Sequence, residues 1–100
     1  MTVPLQEALS RLREHEAELR RRGVVHAAVF GSVSRGDART DSDVDVLIEL
    51  DPECSIDLFD YTDLAMYIEE MFGEDVDVAN KNTLRPRLRE DILKDAINAF

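Results

Sequence analysis

The chain has 100 residues, of which 44% are hydrophobic and 34% charged, so it holds enough apolar material for one core. No apolar run approaches the roughly 20 residues of a membrane-spanning helix. The charged N-terminal residues also lack the apolar region of a secretory signal. The single cysteine, Cys54, excludes an internal disulfide and a cysteine-based zinc site. We therefore expect one domain over residues 1–100, in the reducing cytoplasm and without membrane contact.

The net charge of −10 is concentrated in the middle of the chain, where residues 37–80 carry fifteen acids and one base, Arg39. This segment would repel a phosphate backbone, so direct nucleic-acid binding is not expected. Two interpretations of the acids stay open. They form a solubilising surface, or some of them surround a divalent cation that lets a polyphosphate approach.

The first half of the chain predicts a helix, two strands and a polar turn between the strands. Leucine and alanine at helical spacing predict a helix over residues 4–22, which Gly23 ends. The β-branched run 24–30 predicts a buried strand. Residues 31–42 are polar and turn-like. Alternating acids and aliphatics then predict a strand over residues 43–50.

The second half predicts a helix, a short strand and a last helix. One apolar face runs over residues 57–72 and predicts a helix that Gly73 ends, and residues 76–79 predict a third strand. Pro86 suits the first turn of the last helix. The buried stripe of that helix is expected to comprise Leu88, Ile92, Leu93, Ala96 and Ile97. This order predicts an α/β layer with helices packed against a small sheet.

The chemistry is concentrated in residues 29–48, which read VFGSVSRGDARTDSDVDVLI. Gly31 and Ser32 follow directly on a predicted strand, where glycine permits close approach of the backbone and serine can donate a hydrogen bond to an anion. Asp43 and Asp45 are two apart on a strand, so their carboxylates share a face about 7 Å apart. Converging carboxylates of this kind suit metal ions that stabilise displacement at phosphorus. A structural explanation would pair such acids with bases, and only Arg35 and Arg39 lie nearby.

Gly-Ser, ten residues and then Asp-x-Asp resembles the signature of the nucleotidyltransferase superfamily with a DNA polymerase β-type core. The string from Gly31 to Asp45 resembles its minimal nucleotidyltransferase (MNT) branch, which typically reads G-S-x-A-R-G and then S-D-x-D; Ser34 replaces the usual alanine. The segment Leu84 to Leu93 is also typical of the branch. The resemblance implies a small mixed β-sheet with helices packed against it, a polymerase β palm-like fold.

The resemblance also implies roles for single residues. Gly31 and Ser32 would hold the terminal phosphates of ATP, and Asp43 and Asp45 would ligate Mg²⁺. A third acid on a neighbouring strand would complete the site and help to deprotonate the attacking hydroxyl. Asp77 matches that place, and Asp75 on the same strand face is the alternative. Arg35 would contact phosphate or a partner protein, or would neutralise the acids.

Stand-alone members of the branch resemble antitoxins paired with a HEPN-domain ribonuclease. The resemblance implies Mg²⁺-dependent transfer of AMP from ATP to a hydroxyl of that toxin, a tyrosine in the family. Two alternatives stay open, a non-catalytic antitoxin that occludes the toxin and a transferase acting on a small aminoglycoside-like alcohol. The apolar C-terminal residues 96–100 could dock on a partner or close the protein's own core.

Overall fold

The computed structural model describes residues 3–36, 43–73 and 76–100. The last six residues of the predicted turn, 37–42, and the alternative acid Asp75 lie outside these ranges. The described helices are α1 (Leu5–Glu14), α2 (Glu16–Arg21), α3 (Gly31–Arg35), α4 (Leu58–Phe72) and α5 (Pro86–Asp95). The strands are β1 (Val24–Phe30), β2 (Val44–Leu50), β3 (Val76–Asn80) and β4 (Ile97–Asn98), and a 3-10 turn spans Lys81–Thr83.

The strands form one mixed sheet in the order β3-β2-β1-β4. Strand β1 pairs antiparallel with β2 and with β4, whereas β2 pairs parallel with β3. The predicted mixed sheet with helices is therefore confirmed. The two faces of the central strand β2 are covered by different parts of the chain.

One face of the sheet carries the hydrophobic core. Val44, Val46 and Ile48 alternate along β2 and are completely buried, while Asp45, Leu47 and Glu49 point to the opposite face. Helices α1, α2 and α4 cover the apolar face with Leu9, Leu12, Leu19, Leu64, Ile68 and Phe72. An Asp57–Asp60 capping box fixes the start of α4, at the position that the sequence predicts.

The predicted single helix over residues 4–22 is wrong in its middle, because it breaks at His15. The backbone of His15 leaves the helical region, with φ −103° and ψ 12°. Its Nδ1 lies 2.9 Å from the Tyr67 hydroxyl of α4, and the two rings meet edge to face. The break between α1 and α2 therefore lies where His15 contacts Tyr67 of α4, and His15 is a structural residue.

The predicted burial of the last helix is also wrong. Helix α5 contains no buried residue, and Leu88 and Leu93 are 54% and 40% exposed. The helix crosses the face of the sheet opposite the core and leaves a cavity of about 220 Å³ lined by Leu93, Ala28 and Leu47. The amphipathic pattern is real, but a cavity over Ala28 and Leu47 separates α5 from the sheet, so its apolar side chains are not deeply buried.

The chain after α5 forms a strand that the sequence analysis missed. The helix ends at Asp95, and Ile97 pairs with Val29 at the sheet edge instead of extending the helical stripe. Ala99 is buried in the core, and Phe100 packs against it. Of the two possibilities for this segment, these residues close the protein's own core. None of the helices in the described ranges has the length and apolarity needed to cross a lipid bilayer.

Candidate active site

Asp45 lies at the end of the sheet where β1, β2 and β3 are side by side, and we call the site formed there by Gly31, Asp43, Asp45 and Asp77 the corner. Asp45 pairs with Phe30, the last residue of β1, and with Asp77, the second residue of β3. Paired residues on neighbouring strands point to the same face, so Asp45 and Asp77 lie side by side on the face away from the core. Asp43 is exposed and immediately precedes β2. The structure therefore brings the three predicted aspartates to one end of the sheet.

Gly31 forms the opposite wall of this corner, directly after β1. Its φ of +75° lies in the left-handed region, which side chains rarely adopt. A Cβ atom at Gly31 would lie 2.2 Å from Oδ2 of Asp45, closer than real contacts allow. Only glycine thus lets the chain turn into α3 while the Asp45 carboxylate keeps its place. Ser32 follows in the first turn of α3 and is half-buried.

The corner is electrostatically uncompensated at Asp45. Burial is the largest cause that raises the pKa of Asp45 to about 6, and the charges of Asp77 and Asp43 act in the same direction. A hydrogen bond between the Asp45 and Asp77 carboxyl groups raises it further, and the positive charge of Arg35 opposes the shift. Mutual repulsion of carboxylates is what a bound cation would relieve.

The donor set suits Mg²⁺, a hard cation that prefers carboxylate oxygens. Within residues 3–36, 43–73 and 76–100, no three acidic, histidine or cysteine side chains are already close enough to hold a metal ion. The three aspartates therefore share a corner without forming a closed cage. Their charge and their oxygen ligands fit the cation, and their rotamers have to adjust to bind it.

Arg35 is fixed to the last helix. Its guanidinium donates to the Asp95 carboxylate at 2.6 Å, and the neighbouring Ser34 hydroxyl donates to the Asp95 carbonyl. Asp95 is the residue that the sequence analysis missed. It lies 60 positions from Arg35 and belongs to no local motif, so only the packing of α5 against α3 shows its contact with this segment.

The structure thus brings Gly31 close to the Asp45 carboxylate on the central strand of a mixed sheet, as expected from the resemblance to nucleotidyltransferases. The family model of the nucleotidyltransferase domain matches residues 12–98. The chain belongs to this family.

Individual relatives share nearly the whole chain. The protein adenylyltransferase MntA of Thermococcus cleftensis is 37% identical over 96 residues, which cover 95% of each chain. A solved structure of a "putative minimal nucleotidyltransferase" superposes with a TM-score of 0.77 at 37% identity, again over 95% of both chains. The fold also matches a complex of a tri-AMPylated Shewanella oneidensis HEPN toxin with its MNT antitoxin. That match has a TM-score of 0.64 at 16% identity and covers 92% of this chain and 71% of the other.

Proposed function

We propose that this protein is a Mg²⁺-dependent protein adenylyltransferase that acts as an antitoxin. It transfers AMP from ATP to a tyrosine hydroxyl of a HEPN ribonuclease toxin and so neutralises the toxin. The relative MntA is named a protein adenylyltransferase, and the same fold occurs in an MNT antitoxin bound to an AMPylated HEPN toxin. Residues 1–100 act as one minimal nucleotidyltransferase domain, in the cytoplasm where ATP and the ribonuclease's targets are found.

The observation that carries the proposal is the position of the Asp45 carboxylate, which occupies space that any side chain at position 31 would need. A half-buried carboxylate beside a second carboxylate, Asp77, is unfavourable in a scaffold that has no use for it. A cation bound at that corner would remove the repulsion between the carboxylates and would attract the triphosphate.

The residues take distinct roles in this proposal. Gly31 and Ser32 bind the terminal phosphates, the glycine by close approach and the serine by donating a hydrogen bond. Arg35, oriented by Asp95, faces the triphosphate with its positive charge. Asp43 and Asp45 would hold Mg²⁺.

Asp77 completes the site from the neighbouring strand. Bound Mg²⁺ would supply charge neutralisation at the reacting phosphate. The tyrosine oxygen forms a bond to the α-phosphorus, the bond from that phosphorus to the bridging oxygen breaks, and pyrophosphate leaves. The hydroxyl proton passes to a carboxylate at the corner, for which Asp77 is placed on the exposed edge.

The test is incubation with α-labelled ATP, Mg²⁺ and the HEPN toxin encoded beside this protein. The wild type should label the toxin, and Asp43→Asn with Asp45→Asn should abolish labelling while the protein stays folded. The matched control is Glu90→Gln with Asp91→Asn, which removes the same charge from exposed positions on α5. Neutralisation that is equally effective without ATP would contradict the proposal in favour of occlusion.

A further inference from the structure

Helix α4 carries a second apolar stripe on the side opposite its core residues. Phe59, Thr62 and Met66 follow one another at helical spacing, whereas the buried residues Leu64 and Ile68 occupy the other face. Phe59 is 79% exposed and Met66 is 52% exposed. The two side chains lie about 10 Å apart along the helix axis. Single apolar residues are ordinary on a surface, but a phenylalanine and a methionine this exposed on one line of a helix, with Leu58 beside them, can form part of a docking surface.

The patch continues into a groove at the start of the helix. Leu58, 75% exposed, adjoins Phe59 in the chain and also lines a groove of about 340 Å³. Leu50, Ile56 and Tyr61 supply the apolar part of the groove wall. A groove of this kind next to an exposed apolar helix face can receive an anchoring side chain from a partner.

Acids surround this surface. Asp57, Asp60, Asp63, Glu69 and Glu70 of the α4 segment are all exposed. The sequence contains no lysine or arginine between Arg39 and Lys81. The described residues show no ion pair within 4.0 Å to any of these five acids, although Arg21 and Arg22 line a pocket that reaches Asp60 and Asp63. An apolar stripe with an acidic border is complementary to an apolar stripe with a basic border.

We infer that this α4 surface, defined by Leu58, Phe59, Thr62 and Met66 with its acidic border, docks a basic amphipathic helix of a partner protein. An apolar side chain of that helix enters the groove, and its lysines and arginines face the acids. The inference rests on the proposed function, because the partner is taken to be the HEPN toxin. A second copy of this chain is disfavoured as the occupant, since two α4 surfaces would bring like charges together.

The docking surface lies away from the chemistry. Leu50, in the groove wall, is five residues along β2 from Asp45, a separation of about 17 Å. A partner side chain that enters the groove is thus held at the end of β2 away from Asp45. Binding of the toxin and transfer of AMP can therefore be measured separately.

The test compares Phe59→Ser with Met66→Ser against Leu88→Ser, which removes an exposed apolar side chain from helix α5, outside the docking surface. Binding of each variant to the purified toxin is measured by calorimetry at low and at high salt. We expect the α4 double variant to weaken binding at least tenfold and the Leu88 variant to leave it unchanged. Asp63→Asn with Glu70→Gln should weaken binding chiefly at low salt, where the charges are least screened.

The catalytic readout separates this inference from the proposed function. The α4 double variant should raise KM for the toxin and leave kcat and the affinity for Mg²⁺-ATP unchanged. If it binds and labels the toxin as the wild type does, the docking surface is refuted and the function stands. If the wild type binds but never labels the toxin, and the α4 variant loses binding, the function fails and the docking surface stands. A wild type that forms dimers broken by the α4 substitutions would assign the surface to a second copy and overturn the inference.

Discussion

Gly31→Ala probes the corner because a matched glycine, Gly36, follows directly after the end of α3. Gly31 and Gly36 have φ values of +75° and +79°, so alanine meets the same left-handed strain at both positions. That strain costs about 1–2 kcal/mol. At Gly36 nothing lies within 4 Å of the added Cβ, whereas at Gly31 the Cβ would lie 2.2 Å from Oδ2 of Asp45.

The difference between the two variants isolates the contact with Asp45. Real Cβ contacts do not fall below 3.0 Å, so the carboxylate has to retreat by about 1 Å or rotate away. Displacement of a reacting group by about 1 Å costs on the order of 100-fold in rate. Because Asp45 is a short side chain at a half-exposed position, its movement should relieve most of the clash without unfolding the protein.

The assay combines thermal unfolding with AMP transfer to the toxin. We expect both variants to lose about 4–8 °C in Tm for each kcal/mol of strain. Gly31→Ala should transfer AMP about 100-fold more slowly than Gly36→Ala. Gly31→Ala activity within threefold of Gly36→Ala would refute the argument that Asp45 depends on the missing side chain.

Three further outcomes follow from contacts in the structure. In EDTA, Asp45→Asn should be more stable than the wild type. The folded-state pKa of about 6 lies above the ordinary 3.8, so ionised Asp45 destabilises the fold above pH 6, and the difference vanishes below about pH 4. The pKa shift of Asp45 corresponds to about 3 kcal/mol. Solvent screening of this half-exposed group reduces the expected difference between variant and wild type in urea unfolding to about 1 kcal/mol. A variant less stable than the wild type at pH 7.5 would contradict this prediction. Asp95→Asn should raise KM for ATP several-fold because Arg35 loses its partner at 2.6 Å, and an unchanged KM would argue against an oriented arginine. Tyr67→Phe should lower the free energy of unfolding by about 0.5–1.5 kcal/mol through loss of the hydrogen bond to His15, and urea titration showing no change would refute the proposed tie between the helices.

The central strand and the face that Asp45 occupies could be predicted because their signals are local, whereas the place of Asp77 followed from the family resemblance. Period-two alternation in β2 fixes which face Asp45 occupies, and the same parity places Asp77 beside it once β3 pairs in parallel. Gly31 lies at the turn from β1 into α3, where the backbone needs a positive φ that glycine adopts readily. The face of β2 and the turn at Gly31 depend on a few neighbouring residues, whereas the pairing of Asp45 with Asp77 depends on contact between β2 and β3.

The parts that the sequence did not predict depend on distant contacts. The apolar periodicity of α5 is the same for a helix packed in a core and for one lying over a cavity. The exposure of Leu88 could therefore be recognised only from the structure. The break at His15 is fixed by Tyr67, 52 residues away, and the helix propensity of its neighbours gives no sign of it. Asp95 contacts Arg35 only because β4 returns the chain to the edge of β1.

The most direct measurement is a crystal structure of the protein with Mn²⁺ and a non-hydrolysable ATP analogue, located by anomalous scattering from the manganese. Manganese bound by Asp43, Asp45 and Asp77, with the triphosphate against Gly31 and Ser32, is the predicted result. Manganese absent from this corner, or triphosphate bound elsewhere on the protein, would contradict the assignment of the corner as a nucleotidyl-transfer site.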